Sequence, residues 1–197
     1  DASFVSKVPD NDLGQCAINA LRKYGVNTSN VIKGGKRLGI YFVEKGASQR
    51  ASKVIYDRAY SSISEADLND FNWEEIFQGV DWFHWTGITP ALGGNLPEIC
   101  LEACKAAKAM GVKISCDLNY RKKLWNREQA KEVMSKLMPY VDVCIALRLS
   151  LRLMPSSVWR SKTALRLSMS RTLAALMWRS NLSSSTNLRW RDALIDS

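Results

Sequence analysis

Between Val80 and Ala146 the chain repeats one pattern, a strand and then a helix, and this repetition restricts the fold more than any other feature. Val80-Asp-Trp-Phe-His-Trp85 reads as a strand. A helix over 96–110 follows, with Ile99, Ala103, Ala106, Ala107 and Met110 as its buried stripe and Gly111 as its stop. Asn95 with Glu98 three residues on predicts a capping box at its start. Val112 to Asp117 is the second strand, and Tyr140-Val-Asp-Val-Cys-Ile-Ala146 the third. Between them Asn126 and Gln129 cap a helix over 127–138 that Pro139 stops. Strands joined through helices run parallel, because the chain must cross back before the next strand begins. The expectation is an α/β fold: a parallel sheet with helices on both faces, strands 80–85, 112–117 and 141–146 being adjacent.

The second strand ends in a polar burst of Asp117, Asn119, Tyr120 and Arg121. Ligands of open parallel sheets sit outside the carboxyl ends of the strands, so this is a candidate site edge. The competing reading makes Asp117 and Asn119 caps of the next helix and Arg121 a surface charge. Thr86-Gly87-Ile-Thr-Pro-Ala-Leu-Gly-Gly94 reads on its residues as a plain strand-to-helix connection; no Gly-Lys-Ser/Thr follows, so it is no Walker loop. His84, the single histidine, lies mid-strand among aromatics and is expected to be packed rather than catalytic. No serine stands in a nucleophile elbow.

Earlier in the chain, Phe4 to Val8 reads as a short strand broken at Pro9. Asn11 caps a helix whose apolar face is Leu13, Cys16, Ala17, Ala20, Leu21 and Tyr24, and Gly25 ends it. Leu38 to Val43 and Ser52 to Arg58 alternate as two strands around the polar loop Glu44 to Arg50. On the residues alone, Tyr41 and Tyr56 are strand-face packing. Ser64 to Gln78 is helical with a break near Asn72.

The five cysteines are odd in number and lie mostly in apolar patterns, which predicts buried free thiols of a reducing compartment. Cys100 and Cys104 are one helical turn apart but lack the further ligands zinc needs. No apolar run is long enough to span a bilayer, and no signal peptide is visible. The net charge of +9 is unevenly placed, with +2 on residues 1–146 and +7 on 147–197. Residues 147–197 contain no glycine and no glutamate, but 11 Ser, 11 Leu, eight Arg and three Trp. A compact α/β continuation is not written this way. The expectation is a disordered stretch or one read out of frame, since Glu-Ala-rich codons shifted by one base give Arg, Leu and Ser. Two further readings are a basic tail that binds nucleic acid through Arg and Trp, or one that lies on an anionic membrane.

Asp117-Leu-Asn-Tyr-Arg121-Lys-Lys-Leu-Trp125, preceded by Trp85-Thr-Gly-Ile-Thr-Pro-Ala-Leu92, resembles the sugar-acid branch of the ribokinase-like (PfkB) carbohydrate kinases. The resemblance runs from about Phe4 to Ala146. It implies that residues 1–146 are a partial domain of that fold and that 38–60 form a small substrate-facing β lid. It implies ATP with magnesium as phosphoryl donor and a sugar acid, 2-keto-3-deoxygluconate, as acceptor. A cytoplasmic location and a homo-oligomer in the intact family come with it, and no membrane or nucleic-acid partner. Carried over by position, Tyr41, Tyr56, Arg58 and Arg121 contact the sugar acid, while Thr86, Gly87, Asp117 and Asn119 edge the site. The residue types suit that task, because guanidinium pairs a carboxylate at two points and tyrosine offers an apolar body with a hydroxyl. The family's early Gly-Gly turn, its Asn-x-x-Glu motif and its glycine-rich loop with the catalytic Asp have no counterpart here. The expectation is a family fragment with little or no turnover. A sugar-acid-binding module without chemistry and a nucleic-acid-binding protein are the alternatives.

Overall fold

Short apolar runs set off by polar caps build the elements of the computed structural model, which describes residues 1–146. β1 (Ser6–Val8) pairs in parallel with β2 (Val31–Lys33), and α1 (Asp12–Arg22) connects them. Asn11 caps α1, its side-chain oxygen accepting from the Gly14 N–H at 3.0 Å. The buried side of α1 differs from the expected face. Ile18 packs on Val8 and Val31, flanked by Ala17 and Leu21, while Leu13, Cys16 and Tyr24 are exposed. A two-stranded sheet is narrow, and one stripe of the helix covers it.

β3 (Ile40–Glu44) and β4 (Lys53–Asp57) form an antiparallel ribbon in which Tyr41 faces Tyr56 and Phe42 faces Ile55. Strand alternation puts the two tyrosines on one side and Phe42 with Ile55 on the other. Both sides are largely exposed. The following stretch breaks at Asn72, which caps the short α2 (Trp73–Ile76). Phe71, Trp73 and Phe77 stack in series there, at centroid distances of 5.2 and 5.5 Å.

β5 (Trp82–Thr86), α3 (Ile88–Ala91), α4 (Leu96–Ala109), β6 (Lys113–Asp117), α5 (Arg127–Leu137) and β7 (Val143–Ile145) complete the described chain. The three strands lie side by side in the order β5-β6-β7, all parallel, as the repeated pattern requires. α4 buries Leu96, Ile99, Cys100, Ala103, Cys104 and Ala107. Met110 is instead 43% exposed, because its backbone has already left the helix. The expected capping box of α4 does not form. Asn95 has helical backbone angles, unsuited to an N-cap, and its amide donates to Ala66 O and Asp67 Oδ1 instead. The box on α5 does form: Asn126 and Gln129 exchange bonds of 2.8 and 3.0 Å.

α4 and α5 pack on the sheet face carrying Trp85, Ile114, Cys116 and Cys144, with Ile114 fully buried. Ile114 contributes about 1.5–3 kcal/mol by leaving water. The opposite face carries Trp82, His84 and Ile145, all exposed. His84 is therefore not packed in a core: alternation along β5 puts it opposite buried Trp85. Asp142 ties helix to sheet, accepting from Lys108 Nζ and from the Ile114 N–H, both at 2.9 Å. Four cysteines are buried free thiols as expected, but Cys16 is exposed on α1. No helix among the described residues is long and apolar enough to cross a membrane. The expectations for 147–197 lie outside the described residues.

Candidate functional site

The carboxyl ends of β5 and β6 meet in register, Thr86 opposite Asp117. The Gly87 N–H donates to the Asp117 carbonyl at 2.7 Å. A Cβ on Gly87 would lie 2.2 Å from the Leu118 carbonyl oxygen, so only glycine permits this approach. Just beyond, Asn119 turns back with a φ of 30°. Its N–H donates to Asp117 Oδ1 at 3.1 Å and its side-chain amide to Thr86 Oγ1 at 3.3 Å. Asp117 and Asn119 thus cap no helix; they fold the chain end over the neighbouring strand.

Burial raises the Asp117 carboxyl above its ordinary value, opposed by the Asn119 N–H and by the charges of His84 and Arg121. Arg121 is half-buried, and its Nε is buried with no hydrogen-bond partner among the described residues. A buried cationic donor in that state favours an anion. On the open sheet face, Ser115 Oγ accepts from Trp82 Nε1 at 2.7 Å and lies 2.8 Å from His84 Nδ1. His84 is exposed in area, yet neighbouring atoms desolvate its ring enough to lower its pKa, with Asp117 opposing. Trp82 Nε1 can only donate, so the serine proton is free for His84, whose neutral form accepts it.

A second group gathers at a cleft of about 410 Å³ between the β4 exit and the body of the chain. Arg58, Tyr60, Glu65, Leu92, Gly94 and Lys123 are among its lining residues. The Arg58 guanidinium lies 4.1 Å from the Tyr56 ring centroid, and Lys123 Nζ lies 5.8 Å from the same ring. Tyr41 flanks Tyr56 with centroids 6.2 Å apart. Tyr60 has a φ of 56°, unusual for a bulky side chain, and is 74% exposed.

The residues singled out in the sequence therefore fall into two sets. Tyr41, Tyr56 and Arg58 meet on the ribbon side, while Thr86, Gly87, Asp117 and Asn119 interlock at the strand ends with Arg121 near Asp117. Arg121 is not among the lining residues of the cleft. Sequence reasoning passed over Lys123 and Tyr60. Lys123 stood inside the Arg121-Lys-Lys-Leu-Trp125 string, but its partner Tyr56 is remote in sequence; Tyr60 carries no signal besides its place just after Arg58.

Among the described residues no three His, Cys, Asp or Glu side chains converge as metal ligands. Arg58 and Lys123 beside Tyr56 are cationic donors of the kind that pair with an anion.

Residues 1–156 match the pfkB family carbohydrate kinase pattern. A 2-dehydro-3-deoxygalactonokinase of Haloferax volcanii is 35% identical over 151 residues, covering 77% of this chain and 47% of that protein. The crystal structure of a 2-dehydro-3-deoxygluconokinase from Thermotoga maritima superposes with a TM-score of 0.77 at 55% identity, covering 78% of this chain and 47% of that one. A sugar kinase from Pyrococcus horikoshii, solved in complex with ATP, aligns at 27% identity with a TM-score of 0.63, covering 72% of this chain and 46% of that one. The chain spans about half the length of the relatives it matches. The chain belongs to the pfkB family of carbohydrate kinases.

Proposed function

We propose that this chain supplies the acceptor side of an ATP-dependent sugar-acid kinase whose substrate is 2-keto-3-deoxygluconate. The observation that carries this reading is the cleft beside Tyr56, where Arg58 and Lys123 both reach one tyrosine ring. A carboxylate is drawn to such a place, and the hydroxyls of Tyr41 and Tyr56 suit a polyol. Arg121, whose buried Nε has no hydrogen-bond partner among the described residues, adds a further cation near the strand ends. Thr86, Gly87, Asp117 and Asn119 edge the site by holding the ends of β5 and β6 together.

ATP supplies the phosphoryl group when bound. The described residues offer no metal cluster, and no glycine follows Gly111 in the sequence to build a phosphate cradle around an aspartate. In this reading the 197 residues bind the acid and turn it over slowly if at all. The exposed pair Phe42 and Ile55, on the ribbon face turned away from the tyrosines, is where a second copy would pack in an oligomer.

Calorimetric titration of the chain with 2-keto-3-deoxygluconate and with fructose, each with and without ATP and magnesium, tests the reading. Binding of the acid in clear preference to fructose supports it. Equal affinity for both, or binding of neither, overturns it.

A further inference from the structure

We propose that Lys123 is a specificity-determining residue, which together with Arg58 selects ligands that carry a carboxylate. The inference rests on the sugar-acid reading above and adds to it a residue from the body of the chain. Arg58 follows β4, whereas Lys123 belongs to the turn after β6. Both line the same cleft, and both stand over the Tyr56 ring, at 4.1 and 5.8 Å. Two positive groups drawn to one ring repel each other, and the ring's negative face offsets that only in part. Among the described residues that line the cleft, Glu65 is the one acidic residue, and it is exposed. An anion entering the cleft would lower the repulsion and gain a hydrogen bond from each cation. A neutral sugar would do neither.

The two cations bring different abilities. Arginine presents a planar fork that holds two oxygens at once. Lysine is a point charge on a flexible stem and can follow the anion. Lys123 is exposed and forms no ion pair among the described residues. Its contact also joins the β3–β4 ribbon to the body, so a bound anion would fasten the two together through Arg58 and Lys123.

The experiment titrates the full 197-residue chain with 2-keto-3-deoxygluconate and with fructose, using wild type, Lys123→Met and Lys123→Arg. Methionine keeps the apolar stem and removes the charge. The expected result is a roughly tenfold loss of acid affinity in Lys123→Met, the scale of one charge-assisted hydrogen bond. Fructose binding and melting temperature stay at the wild-type level, and Lys123→Arg restores most of the acid affinity. Undiminished acid binding by Lys123→Met overturns the proposal, as does an equal loss on both ligands, which would mark a structural role. If wild type itself fails to prefer the acid, the sugar-acid reading falls first, and the inference with it.

Discussion

Asn119 donates its side-chain amide to Thr86 Oγ1 across 3.3 Å and so ties the ends of two adjacent parallel strands. The bond exists because Asn119 accepts a φ of 30°, which turns the chain back at once after β6. Asparagine tolerates that conformation better than most residues. Asn119→Ala should cost about 1–2 kcal/mol in urea denaturation, from the lost bond and the backbone penalty together. Asn119→Gly should recover the backbone part. Wild-type stability in the alanine variant would show that the turn is held by other contacts.

Gly87 poses the same issue by close contact. An added Cβ would lie 2.2 Å from the Leu118 carbonyl oxygen, and backbone cannot rotate away as a side chain can. Gly87→Ala should destabilise by about 1–3 kcal/mol, the range for overpacking, and should weaken acid binding as the strand ends separate. An alanine variant with normal melting and normal affinity would contradict this account of the strand ends.

Two aspartates should respond to pH with opposite sign. Burial alone would raise Asp142, but the Ile114 N–H and Lys108 outweigh it and lower its carboxyl. That stability is present above the unfolded value of 3.8 and is lost as pH falls through the folded one. Asp142→Ala should therefore cost about 1–2 kcal/mol at pH 7, discounted for the exposed lysine, and the gap should narrow in acid. Asp117 is raised by burial, so its contribution is present below 3.8 and lost as pH rises through the folded value. Asp117→Asn should melt no lower than wild type at pH 7, with any advantage fading in acid. Thermal melts of both variants from pH 3 to 7 would contradict the assignment if the two trends ran the same way.

Thiol labelling checks the burial pattern. Burial raises the Cys104 thiol to about 12 and pushes Cys100 up as well, while Cys16 is exposed. Thiolate is the reactive form, so iodoacetamide should label Cys16 well before Cys100 and Cys104, which should react only on unfolding. Fast labelling of Cys100 or Cys104 in the native chain would contradict the packing of α4.

The parts of the fold legible in sequence were those fixed locally. The β5-β6-β7 order followed from strands and helices alternating at regular intervals, and Asn126 with Gln129 formed the box that their spacing announces. Asn95 has the same spacing to Glu98 and fails, because its backbone is helical and its amide is drawn to Ala66 and Asp67 from far upstream. Leu13 misled because the buried width of a helix depends on what it meets, here a two-stranded sheet. His84 misled because aromatic neighbours in sequence alternate across a strand. At the site, the polar burst after β6 was visible, but its internal bonding was not. Lys123 gains its meaning only from Tyr56, which no local pattern connects to it.

The central claim is that the cleft beside Tyr56 and the ends of β5 and β6 receive a sugar acid. Backbone amide NMR of the labelled chain during titration with 2-keto-3-deoxygluconate tests it most directly. The account predicts shifts concentrated at Tyr56, Arg58 and Tyr60, at Thr86 and Gly87, and from Asn119 to Lys123, with α1 unmoved. Shifts that scatter over the surface, gather on α1, or appear equally with fructose would contradict it.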